Sequence, residues 1–306
     1  MKKFMKYLKS ITYDVVQAAC FTKGILSFVR LSRDMAIFRL IGVLPGLRLN
    51  KPRHVTLRPG LDFTYRLNKG DIYAIHEIWF GELYRFPIPI IPRLIVDLGA
   101  NIGTTSLWFW AKYGCEKIIA VEPSAGNAAI IRENFRRNGI DGEVIEAAIA
   151  GSDGTATFYE VASSTNGRLE PHEGNRLSPP VGLTEKRTVR TISMPTLLAW
   201  IDLDAPIDLL KIDIEGGEQE LLSGDVSWLA SVRALVIEFH ASLIHYDRLV
   251  ETLKHNGFRR IHSVCSDPAL GNTLEYFMRD ESGSKAHSPI DVSGDHTRPC
   301  EVALPA

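Results

Sequence analysis

Lys211, Asp213 and Glu215 stand two residues apart in the run Asp208-Leu209-Leu210-Lys211-Ile212-Asp213-Ile214-Glu215-Gly216-Gly217-Glu218. Along a strand that spacing sets the three charges on one face, and the glycines let the chain turn into a helix. Glu238 and His240 repeat the alternation where the apolar run from Val232 to Phe239 ends. Carboxylates and an imidazole gathered at strand ends can take a proton or orient a polar substrate. Lys211, Asp213, Glu215, Glu238 and His240 are therefore the candidate catalytic residues. Two other readings compete: Lys211 only neutralises Asp213 or Glu215 as a structural ion pair, or Asp213, Glu238 and His240 hold Mg or Mn. The spacing is not diagnostic of a metal, and no metal ligand is assigned.

A second dense stretch is Leu94-Ile95-Val96-Asp97-Leu98-Gly99-Ala100-Asn101-Ile102-Gly103, followed by Thr104-Thr105. It reads as strand, tight turn and helix, the form of a nucleotide-binding turn. Glycine permits the bend, lets a ligand approach and lets the helix begin close to the strand. A dinucleotide fingerprint wants Gly at i, i+2 and i+5, but from Gly99 those later positions hold Asn101 and Thr104. No P-loop spacing is present either. What remains resembles the Asp-x-Gly-x-x-x-Gly turn of S-adenosylmethionine (SAM) methyltransferases, carried here by Asp97, Gly99, Ala100, Asn101 and Gly103.

Glu122, followed by Pro123, ends the apolar run from Lys117 and lies 25 residues after Asp97. That is near the distance at which βαβ folds place the acid that takes both ribose hydroxyls. A third strand, Glu143 to Ala148, brings Glu146 and Ala147 to the usual place of the adenine, whose amine needs an oxygen acceptor. The stretch from Asp71 to Tyr84 is rich in aromatics and carboxylates. It reads as core or as a segment folded over the ligand end of the sheet, which makes Tyr84 a candidate cofactor contact and Phe80 and Glu82 secondary ones.

These residues need a frame. Residues 1–70 read as a basic helical cap, ended by Leu44-Pro45-Gly46, with a hairpin from His54 to Arg66. Residues 71–280 alternate strands and helices, with a helix from Thr104 to Gly114, a helix that Ser124 caps and Asn138-Gly139 closes, and strands at Thr155 to Val161 and Val189 to Met194. A helix at Tyr246 to Asn256 and strands at Phe258 to Val264 and Leu274 to Met278 complete the sheet. Ser163 to Thr184, without a sustained period, reads as a lid and substrate wall, with a disordered insertion as the other reading. Residues 281–306 read as a loose polar tail.

The 306 residues carry a formal net charge of -1, which argues against nucleic-acid binding. Nine Lys and Arg of the first fifty residues face only Asp14 and Asp34, so the cap is either solvated or a surface for anionic lipid. Cys20, Cys115, Cys265 and Cys300 are scattered without metal-finger spacing, which favours a reducing cytoplasm. Lys6, Lys9 and Asp14 interrupt any signal-like apolar run, Gln17-Ala18-Ala19-Cys20 lacks the apolar core of a lipoprotein signal, and no run approaches the length of a membrane span. The expected location is cytoplasmic, with peripheral contact at the inner membrane surface as an option.

The chain from Asp71 to Arg279 resembles the FkbM family of SAM-dependent methyltransferases. The resemblance is carried by Asp97 to Gly103, by Val121-Glu122-Pro123, and above all by Leu210 to Glu218 with Glu238 and His240. It implies a Rossmann-like α/β fold with a seven-stranded, mostly parallel sheet and helices on both faces. It also implies methyl transfer, commonly to a hydroxyl of a sugar, polyketide or similar metabolite. On this basis Asp213 or His240 is the expected base, with Glu215 and Glu238 orienting it or the acceptor. The rival from another class is a catalytically inactive SAM-fold scaffold held at a membrane by its basic N-terminus. The acceptor and the oligomeric state are not readable.

Overall fold

A computed structural model describes residues 2–41, 49–161, 167–169, 183–201 and 206–280. The chain opens with α1 (Lys2–Phe21), α2 (Ile25–Ile41) and a hairpin of β1 (Leu49–Leu57) and β2 (Leu61–Leu67), then α3 (Lys69–Ala74) and a π-helical turn, Ile75–Phe80. There follow β3 (Leu94–Leu98), α4 (Thr104–Tyr113), β4 (Lys117–Val121), α5 (Ala125–Asn138), β5 (Gly142–Ile145), β6 (Ala148–Ile149), β7 (Gly154–Val161) and β8 (Arg168–Leu169). Next come β9 (Leu183–Ile192), α6 (Met194–Ile201), β10 (Ile207–Ile212), α7 (Glu218–Ser223) and a 3-10 turn, Ser227–Ser231. The last elements are β11 (Val232–Phe239), α8 (Tyr246–His255), β12 (Phe258–Asp267) and β13 (Asn272–Arg279).

The central sheet has seven strands in the order β12-β13-β11-β10-β3-β4-β5. The five from β11 to β5 are parallel, and β13 and β12 are antiparallel additions at one edge. Parallel strands are covered on both faces and so read as continuous apolar runs; all six residues of β10 are buried. Alternate residues feed two cores. Ile95, Ile118, Leu209 and Val236 pack in one with Trp108, Phe109 and Ile131. Val96, Ile119, Leu210 and Leu235 pack in the other with Leu197, Trp228 and Leu249. From β3 the order runs out through β4 and β5 on one side and through β10 and β11 on the other, so the β3–β10 border is a topological switch point, where open α/β sheets bind ligands.

The N-terminal cap shares the first of these cores, through Ala18, Leu31 and Met35 of α1 and α2. Its two acids are both fully buried. Asp14 takes a two-bond grip from Arg39, at 2.8 and 3.0 Å. Asp34 accepts from Arg53 at 2.9 Å and from the Tyr65 hydroxyl at 2.8 Å. The hairpin is fastened to α5 by Asn134 and Asn138, whose side-chain oxygens accept the Thr64 and Asp62 amides at 2.7 and 2.8 Å. Among the described residues no helix is long and apolar enough to cross a membrane.

Several boundaries differ from the sequence reading. The strand expected from Glu143 to Ala148 divides: β5 stays in the central sheet, while β6 pairs with β9 in a separate four-stranded sheet, β6-β9-β7-β8. β12 and β13 extend beyond the expected strands because they pair with each other from Phe258–Arg279 to Asp267–Asn272. Ser124 takes the N-cap position of α5 but makes no side-chain cap bond; Glu122 accepts the Ser124 amide instead, at 2.8 Å. The Leu44-Pro45-Gly46 terminus, most of the Ser163–Thr184 loop and the tail lie outside the described residues.

Candidate active site

Gly99 joins the two motifs. Its φ is +74°, and a Cβ there would lie 1.9 Å from the carbonyl oxygen of Asp213. The turn that follows β3 is thus closed directly onto the turn that follows β10, and the Asp213 amide donates to the Leu98 carbonyl at 3.2 Å. Only a residue without a side chain permits that approach.

On the β4 side of the switch point, Gly99 and Ala100 donate to the Val121 carbonyl at 3.0 and 3.1 Å. Asn101 adopts φ +52°, which turns its amide onto Glu122 Oε2 at 2.9 Å. Glu122 Oε1 receives the Ser124 amide at 2.8 Å and Asn127 Nδ2 at 3.3 Å. Asn127 also donates to Asn101 Oδ1 at 3.1 Å and accepts from Arg66 at 2.6 Å. Burial raises the Glu122 carboxyl to about 7 against these donors. Pro123 follows at the end of β4, and Gly103, φ +77°, packs on Ile131 as α4 begins.

Lys211 lies under both turns. Its side chain is 2% exposed, with Nζ 3.0 Å from Asp97 Oδ1 and 3.5 Å from Asp213 Oδ2. It donates to the carbonyls of Gly99 at 2.8 Å and Leu98 at 3.3 Å. Burial opposes its charge, but Asp97 and Asp213 outweigh burial and raise its pKa. Asp97, fully buried, is completed by the Ser106 hydroxyl at 2.6 Å. The sequence reading counted Lys211 with the catalytic residues; its enclosure makes it the ionic tie beneath the pocket.

The acids gather around His240, at the carboxyl ends of β10 and β11. His240 Nε2 lies 3.5 Å from Glu215 Oε2 and 3.8 Å from Asp213 Oδ1, and Nδ1 lies 3.2 Å from Glu218 Oε1. Burial works against the imidazolium, but Glu218, Glu215 and Asp213 raise the pKa well above the ordinary 6.5. Glu215 does not alternate along the strand as expected, because β10 stops at Ile212; it reaches the pocket from a left-handed turn, φ +55°. Burial raises its pKa, with His240 opposing. Burial raises Glu238 as well, with Asp213 adding to the effect, and Glu238 accepts from the Ser266 hydroxyl at 2.7 Å. Asp213 is the most open of the three carboxylates measured beside His240, at 26% against 19% for Glu215 and 0% for Glu218.

The three candidate cofactor contacts of the Asp71–Tyr84 segment each have partners within the protein. Phe80 stacks at 5.4 Å on Phe21 of α1, and Glu82 is engaged by Arg85 and Lys112 at 2.6 and 3.7 Å. Tyr84 is buried edge-on against Phe109 at 5.4 Å. Its hydroxyl is raised by burial and then by Asp213 and Glu238. Glu146, beyond the end of β5, is exposed and lies 3.6 Å from Arg132, while Ala147 is buried.

The sequence reading assigned no role to Glu218, Asn127, Ser106 or Glu77. Glu218 is fully buried and accepts the Ile214 and Gly216 amides, both at 2.9 Å. Its signal was its place three residues after Glu215. Glu77 comes from the π-helical turn, where it is exposed, and no spacing links it to the other acids.

The family profile described as Methyltransferase FkbM domain matches residues 97–260, more than half of the chain. Methyltransferase sdnD of Sordaria araneosa is 31% identical over 66% of this chain and 86% of its own length. The 31-O-demethyl-FK506 methyltransferase FkbM of Streptomyces tacrolimicus is 28% identical over 68% and 88%. Hexuronic acid methyltransferase AglP of Haloferax volcanii is 28% identical over 69% and 80%. A match of 26% identity to the AMB antimetabolite synthetase AmbE of Pseudomonas aeruginosa covers 67% of this chain but only 11% of that protein. With the glycine turn, the Glu122 carboxylate and the acid pocket on one edge of the sheet, the chain belongs to the FkbM family of SAM-dependent methyltransferases.

Proposed function

We propose that this protein methylates a hydroxyl of a sugar, glycan, lipid or secondary metabolite. The observation that carries the reading is the closure of Gly99 onto the Asp213 carbonyl, which sets the cofactor turn and the acid pocket side by side. A relative named for the 31-oxygen of FK506 supports an oxygen acceptor on a metabolite, and one named for a hexuronic acid supports a sugar.

The turn fits the cofactor on this structure's own terms: Gly99 and Gly103 are left-handed, and Glu122 is held rigid by donors on both oxygens. Asp97 to Gly103 would cradle the cofactor, Glu122 with Pro123 would take the ribose diol, and Glu146 and Ala147 would border the adenine. When bound, SAM supplies a methyl carbon on a positively charged sulfur. The chain's residues then align the acceptor and receive its proton. Asp213 or Glu215, both beside His240, would receive it, with Glu238 orienting the acceptor. Lys211 holds Asp213 in place from below.

Purified protein with labelled SAM and a panel of uronic acids, glycosides and hydroxylated polyketides tests this. Methyl transfer to a hydroxyl that falls at least 100-fold in Asp213→Asn, with SAM binding retained, supports it. Undiminished turnover removes Asp213 from the reaction. We also infer peripheral membrane contact through the cap, because Ile25, Leu26 and Val29 of α2 are 71%, 79% and 54% exposed beside the exposed Lys23 and Arg30. Co-sedimentation with anionic but not neutral vesicles is the expected result.

A further inference from the structure

The acid pocket carries more negative charge than its own cations balance. Lys211 is committed to Asp97 and Asp213, and His240 is the other cation beside Asp213, Glu215 and Glu218. Glu238, which accepts from Ser266, is a further carboxylate of the same group. Buried carboxylates in such excess need protons or a metal ion.

The donor set is more specific than a group of acids. One oxygen each from Asp213 and Glu238 and a ring nitrogen of His240 lie within 4.8 Å of one another. His240 is 6% exposed, and its Nε2 makes no hydrogen bond among the described residues; the nearest oxygens stand at 3.5 and 3.8 Å. The other nitrogen is fixed by Glu218 at 3.2 Å. Glu218 is itself immobilised by two backbone amides. A histidine oriented through its far nitrogen by a buried carboxylate, with the near nitrogen aimed at two further carboxylates, is the arrangement that outer partners impose on metal-ligating imidazoles.

We propose that Asp213, Glu238 and His240 bind a divalent cation of the Mg or Mn class, which takes the acceptor's hydroxyl oxygen as a further ligand. This rests on the methyl-transfer reading and refines it. An oxygen-rich set with one imidazole and open positions suits these ions. A ligating imidazole is neutral, so His240 gives up any proton on Nε2 as the ion binds. The cation lowers the hydroxyl's pKa, and the O–H proton passes to Glu215. The resulting oxygen anion forms the new O–C bond as the S–C bond breaks, with that electron pair returning to sulfur.

The test is Mn2+ titration of full-length protein purified in chelator, with the free ion followed by electron paramagnetic resonance. SAM calorimetry and thermal melting are run on every variant. One Mn2+ per chain, displaced by Mg2+, is expected. Affinity should fall at least tenfold in Glu238→Gln, and about 10- to 100-fold in Glu218→Gln, which removes only the outer partner. Absence of saturable Mn2+ binding while SAM still binds overturns the cation site and leaves the methyl-transfer reading intact. Equal Mn2+ affinity in wild type and in a folded Glu238→Gln variant also overturns it. Failure of the wild type to bind SAM overturns the methyl-transfer reading and, with it, the cation's assigned task.

Discussion

Replacing Gly99 by Ala separates backbone strain from close approach. An added Cβ would start 1.9 Å from the Asp213 carbonyl oxygen, and about 1.1 Å of retreat is needed to reach the 3.0 Å below which real contacts essentially do not occur. The obstacle is backbone on both sides, so no side-chain rotation relieves it. Ala at a left-handed position costs roughly 1–2 kcal/mol, and overpacking adds about 1–3 kcal/mol. Gly114 is the control: its φ is +61°, and nothing lies within 4 Å of its Cβ position. Gly114→Ala should therefore show the conformational cost alone, a fall of a few degrees in Tm at about 2–4 °C per kcal/mol. Gly99→Ala should melt lower still. A displacement of about 1 Å at Asp213 should also reduce kcat/KM by about 100-fold, with weakened SAM binding. Melting of both variants, SAM calorimetry and turnover make the comparison. Equal melting of the two variants, with wild-type SAM affinity in Gly99→Ala, would refute the claim that the two motifs are closed onto one another here.

Lys211→Met should destabilise the protein by about 3–5 kcal/mol in denaturant unfolding, because Asp97 loses its buried counter-ion; adding Asp97→Asn should restore part of that loss. Glu122 gives a pH signature with two opposite signs. Its carboxyl is raised to about 7 in the folded protein, so between about 4.5 and 7 the folded state keeps a proton that the unfolded chain has lost. Its contribution to stability is complete below about 4.5 and is lost as pH rises through 7, by about 3 kcal/mol. Glu122→Gln should remove that slope from the stability profile. SAM affinity should move the other way, rising as pH passes through about 7, because the ionised carboxylate accepts from both ribose hydroxyls; a pH-independent SAM affinity in the wild type would contradict this ribose role.

The basic cap illustrates how much charge counts conceal. Counting from the sequence, Asp14 and Asp34 are two acids lost among nine cations. In the fold they are the buried anchors that Arg39 and Arg33 reach, so part of the positive charge is spent internally. The same limit applies to the Asp71–Tyr84 segment. Its composition announced a wall near the site, but composition cannot tell that Phe80 turns to Phe21 of α1 while Tyr84 packs on Phe109. A π-helical turn shifts the side-chain phase away from that of an α-helix.

Local chemistry was determined by the sequence alone. Glycines at 99 and 103 after an apolar strand, an acid at 122 and the Lys211–Glu218 run each carry their meaning in residue type and short spacing, because turns, caps and strand alternation are local. Which acid meets which partner was decided only by the tertiary structure. Asp213 closes on Gly99, His240 on Glu218, and Lys211 on Asp97 across neighbouring parallel strands, 22 residues apart at the nearest and more than a hundred at the farthest. Those contacts depend on strand order and register, and they set the surroundings in which burial opposes the His240 imidazolium while its acidic neighbours raise it, and in which burial raises Glu215 and Glu238.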